Sequence, residues 1–271
     1  MAVASDHIDR SERSGVPPQL IIVAGVALNG FAVLIAESWQ AESGPSLLLG
    51  ISPFELIALG VALVLLRPGL MATAPATIGV AEVLLAAAML IPSSTAAWSA
   101  LAGYGAWLAL RHDGDGRKGA LILVLLALAS LWSGVGIRLV GDAVTLAEAR
   151  LIHALMGLAG LDTPLAGTAI GPPDQHHVVL MPACTSLQVL PKALLGLVAL
   201  ALGLGQVSHL RLALAGGLLA LVVVLANSAR VAVMTFSLEH FHLAHGAVGS
   251  NIFDVVAALS VFAGASLAVR R

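Results

Sequence analysis

The only cysteine of the 271 residues, Cys184, stands in Met181-Pro-Ala-Cys184-Thr185-Ser186-Leu187, just ahead of a long apolar run. Arg230 closes Asn227-Ser-Ala-Arg230 late in a second apolar run, and His245 precedes Gly249 and Phe253 at the head of a third. A thiol, a guanidinium and an imidazole can together carry out acyl transfer. A thiolate attacks a carbonyl carbon and forms a thioester, which splits one transfer into two easier steps. A nearby guanidinium favours the thiolate and donates hydrogen bonds to the developing oxyanion. An imidazole titrating near neutrality can protonate a leaving amine and then deprotonate the incoming nucleophile. Asn227 lies three residues before Arg230 and so shares its helix face. From there it can fix the guanidinium or a substrate backbone.

Each of these residues has a plainer role when taken alone. A lone cysteine among apolar runs is more often inert packing. An arginine near a helix end can snorkel to the interface, and a histidine in the same zone can be an interfacial polar residue. Convergence at one depth sets the functional reading apart, and the positions of the apolar runs predict that convergence.

Hydrophobic residues make up 59% of the chain and charged residues only 10%, with a mean hydropathy of +0.98. A soluble domain carries roughly a quarter charged residues, so this chain has too little polar surface to cover itself in water. The fold class expected is all-α, a polytopic integral membrane protein with about eight transmembrane helices in one bundle. A net charge of −2 makes no electrostatic case for a nucleic-acid partner. One cysteine excludes an internal disulfide and any cysteine-based metal cluster within the chain.

Residues 1–18 form a polar leader with Arg10 and Arg13, expected in the cytoplasm. The runs Leu20 to about Ala36, Ile51–Leu66, Ala76–Ile91, Ala96–Leu110 and Gly119 to about Leu139 are the first five expected spans. Ser43-Gly44-Pro45 marks a turn, and Arg67-Pro68-Gly69 a basic stop with helix breakers. A connection follows over 141–183. Within it Ala143–Leu161 is helix-like, interrupted by Glu148, Arg150 and His153, and is expected to lie along the interface or pack over the bundle. Asp162–Gln175, rich in Gly, Pro and Thr, is expected to be a loop. The last three spans are Leu187 to about Leu204, Leu210 to about Phe236, and Gly249–Val269, ahead of Arg270-Arg271. The whole of 1–271 is expected to be a single transmembrane unit.

With the N-terminus inside, most arginines and lysines fall in cytoplasmic segments, in keeping with the positive-inside rule. The segments 141–183 and 237–248 then face outward, both as loops. A helix rises about 1.5 Å per residue, so roughly twenty residues cross the hydrocarbon core. Counting from Leu210 brings Arg230 to the outer boundary, level with Cys184 before one span and His245 before another.

The pattern of a Cys ahead of a span, Asn-x-x-Arg late in the next, and a His followed by Gly and Phe resembles the exosortase/archaeosortase family of membrane-embedded transpeptidases. Here its residues are Cys184, Asn227 with Arg230, and His245 with Gly249 and Phe253. The resemblance rests on the C-terminal part; the multi-span N-terminal half is compatible and generic. It implies a cysteine peptidase/transpeptidase of the inner (plasma) membrane whose site faces the extracytoplasmic side. Such an enzyme cuts a C-terminal sorting signal on exported proteins that end in a transmembrane helix, and joins the new end to an acceptor. The implied triad is Cys184, Arg230 and His245, with Asn227, Thr185 and Ser186 in support and no cofactor or metal. Many members have Cys-Ser-Gly where this chain has Cys184-Thr185-Ser186. His240 and His242 flank the histidine position; spacing to Gly249 and Phe253 selects His245.

Two other readings compete. His176, His177, His240, His242 and His245, with Asp174, fall in the two outward segments, and imidazoles suit Zn, Cu or Ni. That set would suit a histidine-rich metal-binding membrane protein. Glu55 and Glu82 lie in apolar runs, where carboxyls often mark ion paths in a small-solute transporter. Glu55 is expected at an interface, and Glu82 deeper, neutral or hydrogen-bonded inside the bundle.

Overall fold

In a computed structural model, residues 16–40, 51–73, 78–172 and 176–269 are described. The stretch 1–15, the turn at Ser43-Gly44-Pro45, Asp174 and Arg270-Arg271 lie outside them. Ten α-helices account for most of the described chain: α1 (Pro18–Gln40), α2 (Pro53–Thr73), α3 (Val80–Ala88), α4 (Ser94–Arg111), α5 (Gly114–Leu131), α6 (Ile137–Leu158), α7 (Leu190–Leu204), α8 (His209–Met234), α9 (Leu238–His245) and α10 (Ala247–Ala268). Three two-residue strands, β1 (Leu165–Ala166), β2 (Ala169–Ile170) and β3 (Val178–Val179), form an antiparallel sheet in that order.

Among the described residues, five helical stretches are long and apolar enough to cross a membrane: Pro18–Ala36, Pro53–Met71, Gly114–Leu158, His209–Met234 and Val248–Ala268. Their outer faces carry large exposed hydrophobics such as Leu28, Val64, Leu139, Leu218 and Leu259. In water such a surface would associate; against acyl chains it is solvated. The chain is thus an all-α multi-pass membrane protein. The expected third span is represented by α3, whose nine residues rise about 14 Å, half a hydrocarbon core. The sixth is the 15-residue α7.

The helices pack as two joined bundles. In the first, α2 and α4 flank α5, and α1 lies against α4. Its core holds Phe31, Leu66, Trp98, Leu101, Leu123 and Leu126. Small residues let the axes close: a Cβ on Gly119 would lie 2.8 Å from the carbonyl oxygen of Ala62. The second bundle joins α7, α8 and α10 around Leu197, Leu219, Val223, Phe253 and Val261, with α2 touching it through Phe54.

Antiparallel neighbours place the start of one helix beside the end of the next. Ser208 N donates to Ala268 O at 3.1 Å, so α8 begins where α10 ends. At the opposite end α2, α5 and α7 meet. Ser130 Oγ donates to Glu55 Oε1 at 3.3 Å, and Lys192 Nζ lies 3.4 Å from Glu55 Oε2. Glu55, in the opening turn of α2, is therefore at a helix end and buried against α5 and α7, only 1% exposed. Glu82 is hydrogen-bonded inside the bundle, accepting from Tyr104 Oη and Gly79 N, both at 2.9 Å.

Three expectations for the segments around 141–183 and 237–248 are corrected. The helix of the expected fifth span does not stop near Leu139: α5 runs through a π-helical turn, Trp132–Gly136, into α6, one helical stretch of 45 residues. Gly141 does not end the helix but opens a contact, since a Cβ there would lie 3.1 Å from the Pro182 ring. Thus Ala143–Leu158 packs over the bundle, burying Thr145, Glu148, Ala149, Ile152 and Met156 against the sheet and α8. The loop from Asp162 carries β1 and β2, turning at Gly167 with a φ of 63°. Residues 238–245 form α9, whose N-terminal Ser237 Oγ accepts from His240 N at 3.2 Å.

Candidate functional site

The site is built on the two tight turns that lead from β3 into α7. Pro182–Cys184 forms one 3₁₀ turn, and Ser186–Gln188 the next. Proline pre-sets the backbone for the first position of such a turn. Cys184 N donates to Met181 O at 2.8 Å, and Thr185 N to Pro182 O at 3.3 Å. Thr185 Oγ1 adds a bond to Pro182 O at 2.8 Å. Cys184 is half-buried, packed against a cluster that includes Ala149 and Ile152 of α6, Leu180, and Val231 of α8.

Beneath this turn lies Glu148 of α6, 6% exposed. Its two carboxylate oxygens each accept from Ser186 N at 3.0 Å, and Oε2 also accepts from Ser186 Oγ at 3.2 Å. Asn227 Nδ2 donates to Glu148 Oε1 at 2.7 Å and to Cys184 O at 2.9 Å. Ser186 and Asn227 are 3% and 1% exposed. A buried carboxylate is costly unless its lone pairs are met. Here backbone, hydroxyl and amide donors meet them, and among the described residues no cation pairs with it. Three segments distant in sequence are thereby joined at one carboxylate.

Arg230 follows one turn after Asn227 on α8. Its guanidinium carbon lies 5.1 Å from the ring centroid of Phe253 on α10, a cation–π distance. Its Nε is buried with no hydrogen-bond partner, and Asp254 interacts with it electrostatically without forming an ion pair. Beside it an apolar cleft of about 310 Å³ opens between α8, α9 and α10, lined by Ala226, Ala229, Val233, Leu243, Val248 and Ile252 among others.

His245 ends α9 and is exposed. Its ring stacks on Phe241, with centroids 5.0 Å apart and 18° between planes. Phe241 also meets His176 edge-on, and His176 Nε2 pairs with Met234 O at 2.8 Å. His240 Nδ1 pairs with Ser237 Oγ at 2.8 Å. Most of these imidazoles are therefore engaged with rings, a hydroxyl and a carbonyl. Among the described residues no three His, Cys, Asp or Glu side chains form a group that could hold a metal ion.

The structure thus brings Cys184, Thr185, Ser186 and Asn227 into one hydrogen-bonded unit and sets Arg230 next to it on α8. His245 lies at the same end, but no hydrogen bond or ring contact joins it to Cys184 or Arg230. Sequence reasoning missed the part played by Glu148. Its signal was present, a carboxylate interrupting an apolar helix pattern, but nothing local pointed to the turn it holds. His153, one turn after Ala149 on α6, has a buried Nδ1 with no partner. No family model, no curated protein and no solved structure matches this chain.

Proposed function

We propose that this chain is a membrane-embedded cysteine peptidase and transpeptidase, acting at the extracytoplasmic face of the plasma membrane. In this reading Cys184 Sγ attacks a substrate carbonyl carbon. The S–C bond forms, the amide C–N bond breaks, and the leaving nitrogen takes a proton. An acceptor nucleophile, or water, then attacks the thioester and returns Cys184 as the thiol. Substrates would be exported proteins with a short C-terminal signal and a transmembrane helix, delivered within the lipid bilayer.

The observation that carries this reading is where the backbone donors of the turn go. The N–H groups of Cys184, Thr185 and Ser186 are all engaged, to Met181 O, Pro182 O and Glu148. None is left for the oxyanion that a cysteine nucleophile generates. Such an oxyanion needs donors held 2.7–3.1 Å away. Arg230, with a buried and unpartnered Nε one turn beyond Asn227, is the side chain of suitable chemistry at that end of α8. The proton transfers are assigned to His245.

The test is to trap the intermediate. The purified protein is mixed with exported reporters that carry varied C-terminal signals ahead of a transmembrane helix and basic tail. A hydroxylamine-labile adduct on Cys184, seen by mass spectrometry and lost in Cys184→Ala together with cleavage, is the expected result. Undiminished cleavage by Cys184→Ala would remove the nucleophile and the reading with it.

A further inference from the structure

Glu148 lies outside every residue that the Cys–Asn–Arg–His pattern picks out, yet it touches more of the cysteine turn than any of them. Its carboxylate takes the Ser186 amide and hydroxyl from the chain just after the thiol, and the Asn227 amide from α8. The same Asn227 Nδ2 reaches Cys184 O, so the Cys184 carbonyl and the Ser186 amide are both tied, through one residue or directly, to Glu148. The third tie is steric: the Pro182 ring fits against Gly141, two turns before Glu148 on α6.

We propose that Glu148 is the positioning residue of the acyl-transfer step: it locks the cysteine turn against α8 so that the thiol and Arg230 meet one carbonyl. The proposal rests on the cysteine acyl-transfer reading given above. Three donor groups converge on two oxygens, a pattern a carboxyl group suits because both of its oxygens can accept. A glutamine has one acceptor oxygen and would turn its own N–H groups toward Asn227 or Ser186. The bonds go to a backbone amide, a hydroxyl and a side-chain amide, and none goes to the sulfur, so Glu148 acts on where the thiol is held. Nucleophilic attack on a carbonyl depends on that placement: about 1 Å of misalignment can cost on the order of 10²-fold. Displacement at an unhindered alkyl iodide needs only the thiolate.

Two probes separate these requirements in the intact protein in detergent or nanodiscs, where no second cysteine interferes. p-Nitrophenyl acetate acylates Cys184: the S–C bond forms, the ester C–O bond breaks, p-nitrophenolate leaves, and the thiol proton goes to buffer. Iodoacetamide alkylates the same sulfur with loss of iodide. Glu148→Gln is expected to slow acylation about 10- to 100-fold while alkylation stays within threefold of the parent. A folded Glu148→Gln protein whose acylation-to-alkylation ratio equals the parent's overturns the proposal. If Glu148→Gln does not fold, Glu148→Asp, which keeps the charge and retracts it by one methylene, is judged by the same ratio. The parent protein guards the underlying reading: if its Cys184 is acylated no faster, relative to alkylation, than a free thiol in a short peptide, the acyl-transfer reading fails. A raised ratio in the parent that Glu148→Gln leaves intact defeats only the role of Glu148.

Discussion

Buried carboxylates in the two bundles do different work. In the first, Glu55 and Glu82 each lie in the opening turn of their own helix and accept a backbone N–H three residues back, from Ser52 at 3.0 Å and Gly79 at 2.9 Å. These are helix-start devices, completed by one or two side chains, Lys192 and Ser130 for Glu55 and Tyr104 for Glu82. Their partners satisfy orphan amides that any helix start would leave. At the second bundle, Glu148 sits in the middle of a helix whose own amides need nothing from it. All its donors come from other segments, and one of those segments holds the thiol. A carboxylate that caps its own helix stabilises that helix. One that serves no local need and gathers distant segments is holding an arrangement, and that arrangement includes the cysteine turn.

The comparison sorts substitutions into those that strike activity and those that strike only stability. The largest effect should come from Arg230→Lys, which keeps the charge but loses the planar fork of donors. Loss of one oxyanion donor lowers rate by roughly 10²–10³, so cleavage of the trapped reporter should fall by that much with the protein still folded. A parental rate would separate Arg230 from the oxyanion. Next come the two imidazoles. His245→Ala should slow turnover about 10²-fold, at the lower end for a lost acid–base group, with partial rescue by added imidazole because the residue is exposed. His153→Ala, in the same assay, should change turnover less than threefold. The reverse order would move proton transfer to the buried ring on α6 and off α9. The smallest effect belongs to the first bundle. Tyr104→Phe deletes one buried hydrogen bond to Glu82 and should cost about 1 kcal/mol of stability, read as a lower thermal midpoint in detergent, while reporter cleavage stays at the parental rate. A loss of cleavage there would make the first bundle part of the site.

Much of the architecture could be read from spacing alone, since a helix of fixed rise turns residue counts into depth. That is why Cys184, Asn227, Arg230 and His245 could be assigned to one end before any coordinates, and α7, α8 and α10 do begin or end there. What spacing could not supply was lateral position. Arg230 meets Phe253 across a helix pair, whereas His245 stacks on Phe241 of its own helix, and both arrangements are compatible with the same count. The connection was expected to begin at 141, but a glycine after an apolar run can also let another segment approach an uninterrupted helix. Only the contact with Pro182 shows which use it has. The segment 237–248 looked like a loop because its three histidines mask a short helix, capped by Ser237. The role of Glu148 was hidden for a similar reason: its partners lie far along the chain in Ser186 and Asn227.

The π-helical turn at Trp132–Gly136 has a consequence for phase. An α-helix advances about 100° per residue, and a π turn absorbs one residue beyond regular α-helical winding. Everything past Gly136 is therefore rotated by about 100° relative to the face that α5 presents to α2 and α4. Before the turn, α5 directs Leu123 and Leu126 into the first core. After it, α6 directs Glu148, Ala149 and Ile152 toward the cysteine turn. The turn is anchored where the rotation occurs, by Trp132 Nε1 donating to Leu187 O at 3.2 Å at the foot of α7. One surplus residue thus acts as an indexing step between two faces of a single rod. Winding the same residues as regular α-helix would carry everything past the turn about 1.5 Å further along the axis and about 100° around it, and swing the Glu148 carboxylate away from the cysteine turn.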